Sequence, residues 1–161
     1  MSAVAVAFRA GVRIAVDVGT VRIGVAASDP TGALASPVTA VRRDRRGGSD
    51  LDQLALLVTE RDAVEVVVGL PRTLRDTDSA STADARDFAA ALARRVAPVP
   101  VRRVDERLTT VTATRGLRSA GRSAKASRPL VDAAAAVVLL DAALDRERAT
   151  GEPAGDPVPA G

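Results

Sequence analysis

Val12-Arg13-Ile14-Ala15-Val16-Asp17-Val18-Gly19-Thr20-Val21-Arg22-Ile23-Gly24-Val25-Ala26-Ala27-Ser28 is the stretch that decides the fold. Its opening, apolar apart from Arg13, reads as a buried strand that ends in an acid. Val18-Gly19-Thr20 is turn chemistry, and Arg22 to Ser28 reads as the hairpin partner. Asp29-Pro30-Thr31-Gly32 turns the chain again. A third strand is expected from Leu34 to Val41, with Pro37 marking an edge or a bulge. Three consecutive strands at the start separate this chain from the doubly wound dinucleotide fold, which opens β-α-β.

Beyond the hairpin the pattern changes. Arg42 to Gly48 is a basic connector; its cluster Arg42-Arg43-Asp44-Arg45-Arg46 is read first as solvated, with contact to nucleic acid as the alternative. Ser49 or Asp50 is expected to cap a helix with apolar positions Leu51, Leu54, Leu57 and Val58. Ala63-Val64-Glu65-Val66-Val67-Val68-Gly69 reads as a strand buried on both faces, as in a parallel pair. A polar loop from Leu70 to Ser81 leads to a helix over Thr82 to Val96, with Phe88 and Leu92 inward. Pro98 and Pro100 bracket a turn into the strand Val101-Arg102-Arg103-Val104, which runs into Asp105-Glu106. Thr109 or Thr110 starts a further helix through Leu117, and Ser119 to Arg128 is a polar, basic loop. Pro129 suits the first turn of a last helix that runs to about Arg148. Ala133 to Leu140 is apolar all round, so that helix should be largely enclosed. The Gly- and Pro-rich end is expected to be disordered, which gives a domain over 1–149 and a tail over 150–161. The class is α/β: a mixed five-stranded sheet, with three antiparallel strands followed by two parallel ones, flanked by helices.

Composition narrows the chemistry. The 161 residues suit one domain able to bury its own core. Cysteine is absent, which excludes disulfides and thiolate-ligated metals. Histidine is also absent, which excludes Ser-His-Asp triads and imidazole-ligated metals. Any hydrolysis must use carboxylates, hydroxyls, basic groups or a hard metal ion. Residues Met1 to Arg9 lack a basic leader and are not read as a signal peptide, and no long apolar run suggests a membrane span. A cytoplasmic location is expected. The net charge of +3 is carried almost wholly by arginine, with Lys125 the single lysine, and suits a phosphate-rich partner. Codon bias toward arginine explains the composition equally well. Phe8 and Phe88 are the only aromatics, so there is no platform for stacking unpaired bases, and recognition should lean on backbone and shape.

Three acids stand out. Asp17 ends an apolar strand, where a carboxylate needs a hydrogen bond, an ion pair or a metal. It could equally be a turn aspartate bonding its own backbone. Glu106 follows another apolar strand, and side-chain alternation separates it from Asp105. Glu106 is favoured for a site, although an ion pair with Arg103 or Arg107 would also explain it. Asp132 is expected in the first turn of the last helix. There it would complement the helix dipole, yet it shares a stripe with Ala135, Ala136, Leu139 and Ala143. If the three converge they repel one another unless cations intervene. Oxygen-only ligands suit Mg²⁺ or Mn²⁺. Two such ions about 4 Å apart would stabilise the attacking and leaving oxygens of a phosphodiester displacement.

Four segments, in order, resemble one family. Val16-Asp17-Val18-Gly19-Thr20-Val21-Arg22-Ile23-Gly24-Val25-Ala26 is similar to the opening motif of the YqgF/RuvX family, described as Holliday junction resolvases or pre-16S rRNA nucleases. Val67-Val68-Gly69-Leu70-Pro71 resembles its central strand and loop, and Asp105-Glu106-Arg107-Leu108-Thr109-Thr110 its most characteristic motif. Ala120-Gly121, followed by Val131-Asp132-Ala133-Ala134-Ala135-Ala136, resembles its last block. The resemblance covers about residues 12–145. It implies an RNase H-like fold, with Asp17, Glu106 and Asp132 as catalytic metal ligands. It also implies maturation of the 5′ end of small-subunit ribosomal RNA, with cleavage of four-way DNA junctions as the other activity. Arg22, Arg107, Arg122, Lys125 and Arg128 are the candidates for phosphate contacts. Each could also be a solvated surface charge. Two departures from the family pattern bear on substrate grip: a single lysine in the Arg122-Ser123-Ala124-Lys125-Ala126-Ser127-Arg128 loop, and Arg72 and Arg75 where glycines are usual. Two rivals remain from the sequence: an ATP-binding domain of the actin and sugar-kinase type, and a non-catalytic nucleic-acid-binding module. Monomer and homodimer are both open.

Overall fold

The computed structural model describes residues 8–71, 80–106 and 128–161, the last stretch with side chains from 132 onward. The strands are β1 (Arg13–Val18), β2 (Arg22–Ser28), β3 (Ala35–Arg42), β4 (Glu65–Leu70), β5 (Val101–Asp105) and β6 (Asp156–Val158); the helices are α1 (Ser49–Glu60), α2 (Ala80–Val96) and α3 (Arg128–Thr150). They form one mixed sheet in the order β3-β2-β1-β4-β5-β6. β1, β2 and β3 are antiparallel, and β4 and β5 are parallel to β1, as the sequence order implied. The expected fifth strand is therefore not the last: the sheet has six.

Strand alternation sorts the core into two layers. Ile14, Val16, Ile23, Val25, Val66 and Val68 pack with Leu54, Phe88 and Leu92 on the face covered by α1 and α2. Ala15, Ala26, Val67 and Val104 pack with Ala136, Leu139, Leu140 and Leu144 of α3 on the other. Small residues on that second face let α3 approach the sheet closely. β4 is buried at every position, as expected of a central parallel strand. Pro37 sits on the edge strand β3 beside a bulge: Val25 pairs with Thr39 and Ala26 with Pro37, which leaves Val38 extra.

Two local expectations are corrected. Neither Ser49 nor Asp50 caps α1; its N-cap is Gly48, in the left-handed region at φ 73°. The nearby amides are served from further back: the Asp44 carboxylate accepts from Gly47 N (2.8 Å) and Ser49 N (3.0 Å), while Asp50 accepts from Asp44 N (3.0 Å). The tail over 150–161 contains β6, which pairs antiparallel with β5. Arg102 holds it, donating to the carbonyls of Ala154 (2.8 Å) and Gly155 (2.5 Å). Gly155, at φ 76°, passes so near Arg103 O that a Cβ has no room. The residues that read as coil are those this docking requires. The helix expected from Thr109 to Leu117 lies outside the described residues. Among the described residues no helix is long and apolar enough to cross a membrane.

Candidate metal centre

The sheet register places the acids. Asp17 on β1 lies opposite Gly24 on β2, on the same face as Ala15 and Ala26, the face that α3 covers. Val104 on β5 pairs with Gly69 on β4 and packs in the α3 layer, so Glu106, two residues on, emerges on that side too. Asp105 pairs with Leu70 and falls to the opposite face.

Two glycines inside strands make the room, and the sequence reading gave them no structural role. A Cβ at Gly69 would stand 2.8 Å from Glu106 Oε1 and 3.2 Å from its Cγ, so the bare backbone is what admits this carboxyl group. A Cβ at Gly24 would collide with the backbone carbonyl of Asp132, so the α3 turn carrying Asp132 rests directly on β2. Glycine in a strand interior is the signal of such a close approach. The helix begins at Arg128 and has no acid in its first turn. Asp132 therefore lies deeper in α3 than expected, where a dipole account of its charge is weak.

Asp17 and Glu106 share a side-chain hydrogen bond. Burial, that bond and the neighbouring charges of Asp17 and Asp105 push the Glu106 carboxyl up to about 8. Burial also raises Asp17; the Glu106 bond opposes that shift and the charge of Asp132 adds to it. Near neutral pH the pair holds a proton that a divalent cation could replace. Asp132 reaches Asp17 electrostatically, but its Oδ2 accepts from Arg22 Nε at 3.1 Å. Among the described residues no three carboxylates stand close enough together to hold a metal ion. The donor set is nevertheless all oxygen, as Mg²⁺ or Mn²⁺ would require.

Of the basic candidates, Arg22 is at the site, engaged with Asp132. Arg128 opens α3, and Arg107, Arg122 and Lys125 lie outside the described residues. The connector is only partly solvated. Arg42 and Arg46 are exposed, but the Arg43 side chain is 7% exposed and donates twice to Asp84, at 2.8 and 3.0 Å. It also donates to Gly19 O at 2.9 Å, so it ties the turn behind Asp17 to α2. Arg43 and Arg45 hold the Asp84 carboxyl well below the usual carboxylate range. Nothing in the run of arginines distinguished Arg43; its bond to a carbonyl 24 residues away is tertiary.

Comparison with known proteins agrees with this architecture. A protein from Mycolicibacterium paratuberculosis named "Putative pre-16S rRNA nuclease" is 60% identical over 146 residues, which is 91% of this chain and 87% of that protein. One of the same name from Frankia casuarinae is 57% identical over 142 residues, 88% of this chain and 70% of its own. Among solved structures, Thermus thermophilus RuvC in complex with Holliday junction substrate superposes with a TM-score of 0.57 at 13% identity, covering 92% of this chain and 99% of that one. That likeness is one of fold, the RNase H-like α/β sheet. The model of the family RuvX, described as Holliday junction resolvase, matches residues 11–146, and the chain belongs to that family.

Proposed function

We propose that this protein is a divalent-metal-dependent nuclease that hydrolyses phosphodiester bonds of structured RNA in the cytoplasm, trimming the 5′ end of the small-subunit ribosomal RNA precursor. The observation that carries the reading is the hydrogen-bonded Asp17–Glu106 carboxyl pair, with the charge of Asp132 felt at Asp17. Without histidine or cysteine in the chain, these carboxylates are the chemistry on offer. Held by Asp17, Glu106 and Asp132, Mg²⁺ or Mn²⁺, as a pair of ions, would supply the charge that stabilises the attacking and leaving oxygens. The chain's own part is to orient the ligands. Pairing with β2 sets Asp17 opposite Gly24, the bare backbone of Gly69 admits Glu106, and the backbone of Asp132 rests on Gly24. The names of the similar proteins support RNA as substrate.

A second reading, cleavage of four-way DNA junctions, draws on the description of the family itself. Labelled precursor RNA and a four-way DNA junction, each incubated with Mg²⁺ or Mn²⁺ and with chelator, decide between them. Asp17→Asn should abolish metal-dependent cutting while leaving the thermal transition in place. Undiminished cutting by that variant would rule the mechanism out. Saturable binding of either probe without cutting would instead mark a non-catalytic binding module.

A further inference from the structure

The Arg22–Asp132 contact places a guanidinium on one of the proposed metal ligands. The bond is made through Nε at 3.1 Å, and the two side chains are 33% and 34% exposed. An ion pair this open to solvent is weakly held. The Arg22 backbone, by contrast, is fixed: its carbonyl accepts from Gly19 N at 2.9 Å, and Arg22 pairs across strands with Arg42. Only the side chain is free to turn. Arg42 is exposed, and a like charge directly across a strand pair is unfavourable unless an anion lies between. A phosphate held by both residues would supply it.

We infer that Arg22 is a removable counter-charge of the acidic cleft: guanidinium and divalent cation compete for Asp132, and the guanidinium displaced by the cation takes a phosphate of the nucleic acid beside Arg42. The inference rests on Asp17, Glu106 and Asp132 being the metal-holding acids. It gives Arg22 two successive partners. Metal loading and substrate grip are thereby coupled, and by linkage each strengthens the other.

Titration of Mn²⁺ into the protein, followed calorimetrically, tests the first half. Arg22→Ala removes both a competitor and a like charge, so Mn²⁺ should bind about tenfold more tightly than to wild type. Arg22→Lys keeps the charge and should stay near wild type. The second half is read from the salt dependence of binding to a structured precursor RNA, with Ca²⁺ as an oxygen-seeking, substitute cation. The wild-type slope of log affinity against log salt should exceed that of Arg22→Ala by about 0.7 to 0.9 with Ca²⁺ present, and the two should match in chelator. Unchanged or weaker Mn²⁺ binding by Arg22→Ala overturns the inference, as does equality of the two slopes with Ca²⁺. Wild-type protein that binds Mn²⁺ while Asp17→Asn does not, with Arg22→Ala unchanged, sinks this inference alone. Failure of wild type to bind Mn²⁺ sinks the metal reading with it.

Discussion

At the residue scale, the Asp17–Glu106 pair carries a cost that pH can expose. Glu106 titrates at about 8 in the folded protein against an ordinary value of 4.5, and Asp17 shifts in the same direction. Between those values the native state binds more protons than the unfolded chain, so stability falls as pH rises through the window. Below about 4.5 the penalty is absent, and above about 8 it is complete. Glu106→Gln removes the titration but keeps a hydrogen-bonding side chain. It should therefore melt higher than wild type at pH 9 and close to it at pH 4, and saturating Mn²⁺ should reverse the order at high pH. Parallel melting curves at both pH values would show that the carboxyl pair is not strained. Alternation in the sequence separated Glu106 from Asp105, and the apolar run before Asp17 marked it as an acid needing a partner. Arg22 as a partner of Asp132 was not legible, because 110 residues separate them and only tertiary folding joins them.

At the element scale, the site depends on how closely α3 lies against β2. Gly24 is the contact point, and even one methyl group there must lift the helix turn that carries Asp132. Gly24→Ala should cost about 1–3 kcal/mol, the usual range for overpacking. It should also weaken Mn²⁺ binding well beyond what that loss of stability explains. Calorimetric titration at a temperature where the variant is fully folded checks this; wild-type Mn²⁺ affinity in the variant would show that α3 does not set the position of Asp132. Element types were legible because period-2 and helical patterns are local, and the antiparallel-then-parallel order followed from them. The start of α1 was misread for the opposite reason. Its capping groups come from Asp44, upstream of the residues that look like caps, and loop geometry rather than composition decides that.

For the whole molecule, α3 is anchored at its far end by a buried ion cluster distant from the acids. Glu147 accepts from Arg13 at 2.6 Å and also from Arg9, and Arg9 donates to Glu65 at 3.0 Å. Arg13, Glu65 and Glu147 are almost wholly buried, and Arg13 also lies over the Phe8 ring, 4.7 Å from its centroid. No sequence pattern announced this cluster: Arg13 reads as an interruption in an apolar strand, and its partner lies 134 positions away. The disorder expected of the tail failed in a similar way, because docking on β5 through Arg102 outweighs local composition. The placement of Glu147 separates stability from function. Glu147→Ala strands a buried guanidinium and should cost about 3–5 kcal/mol, lowering the melting temperature on the order of 10 °C. Replacing both Arg13 and Glu147 by methionine should recover much of that loss, since an apolar pair of similar volume needs no charge compensation. Below its transition the Glu147→Ala protein should bind Mn²⁺ as wild type does, because Gly24 still seats the other end of the helix. Loss of Mn²⁺ affinity in that folded variant would mean that α3 transmits displacement along its whole length, and the two ends of the helix would then have to be treated as one unit.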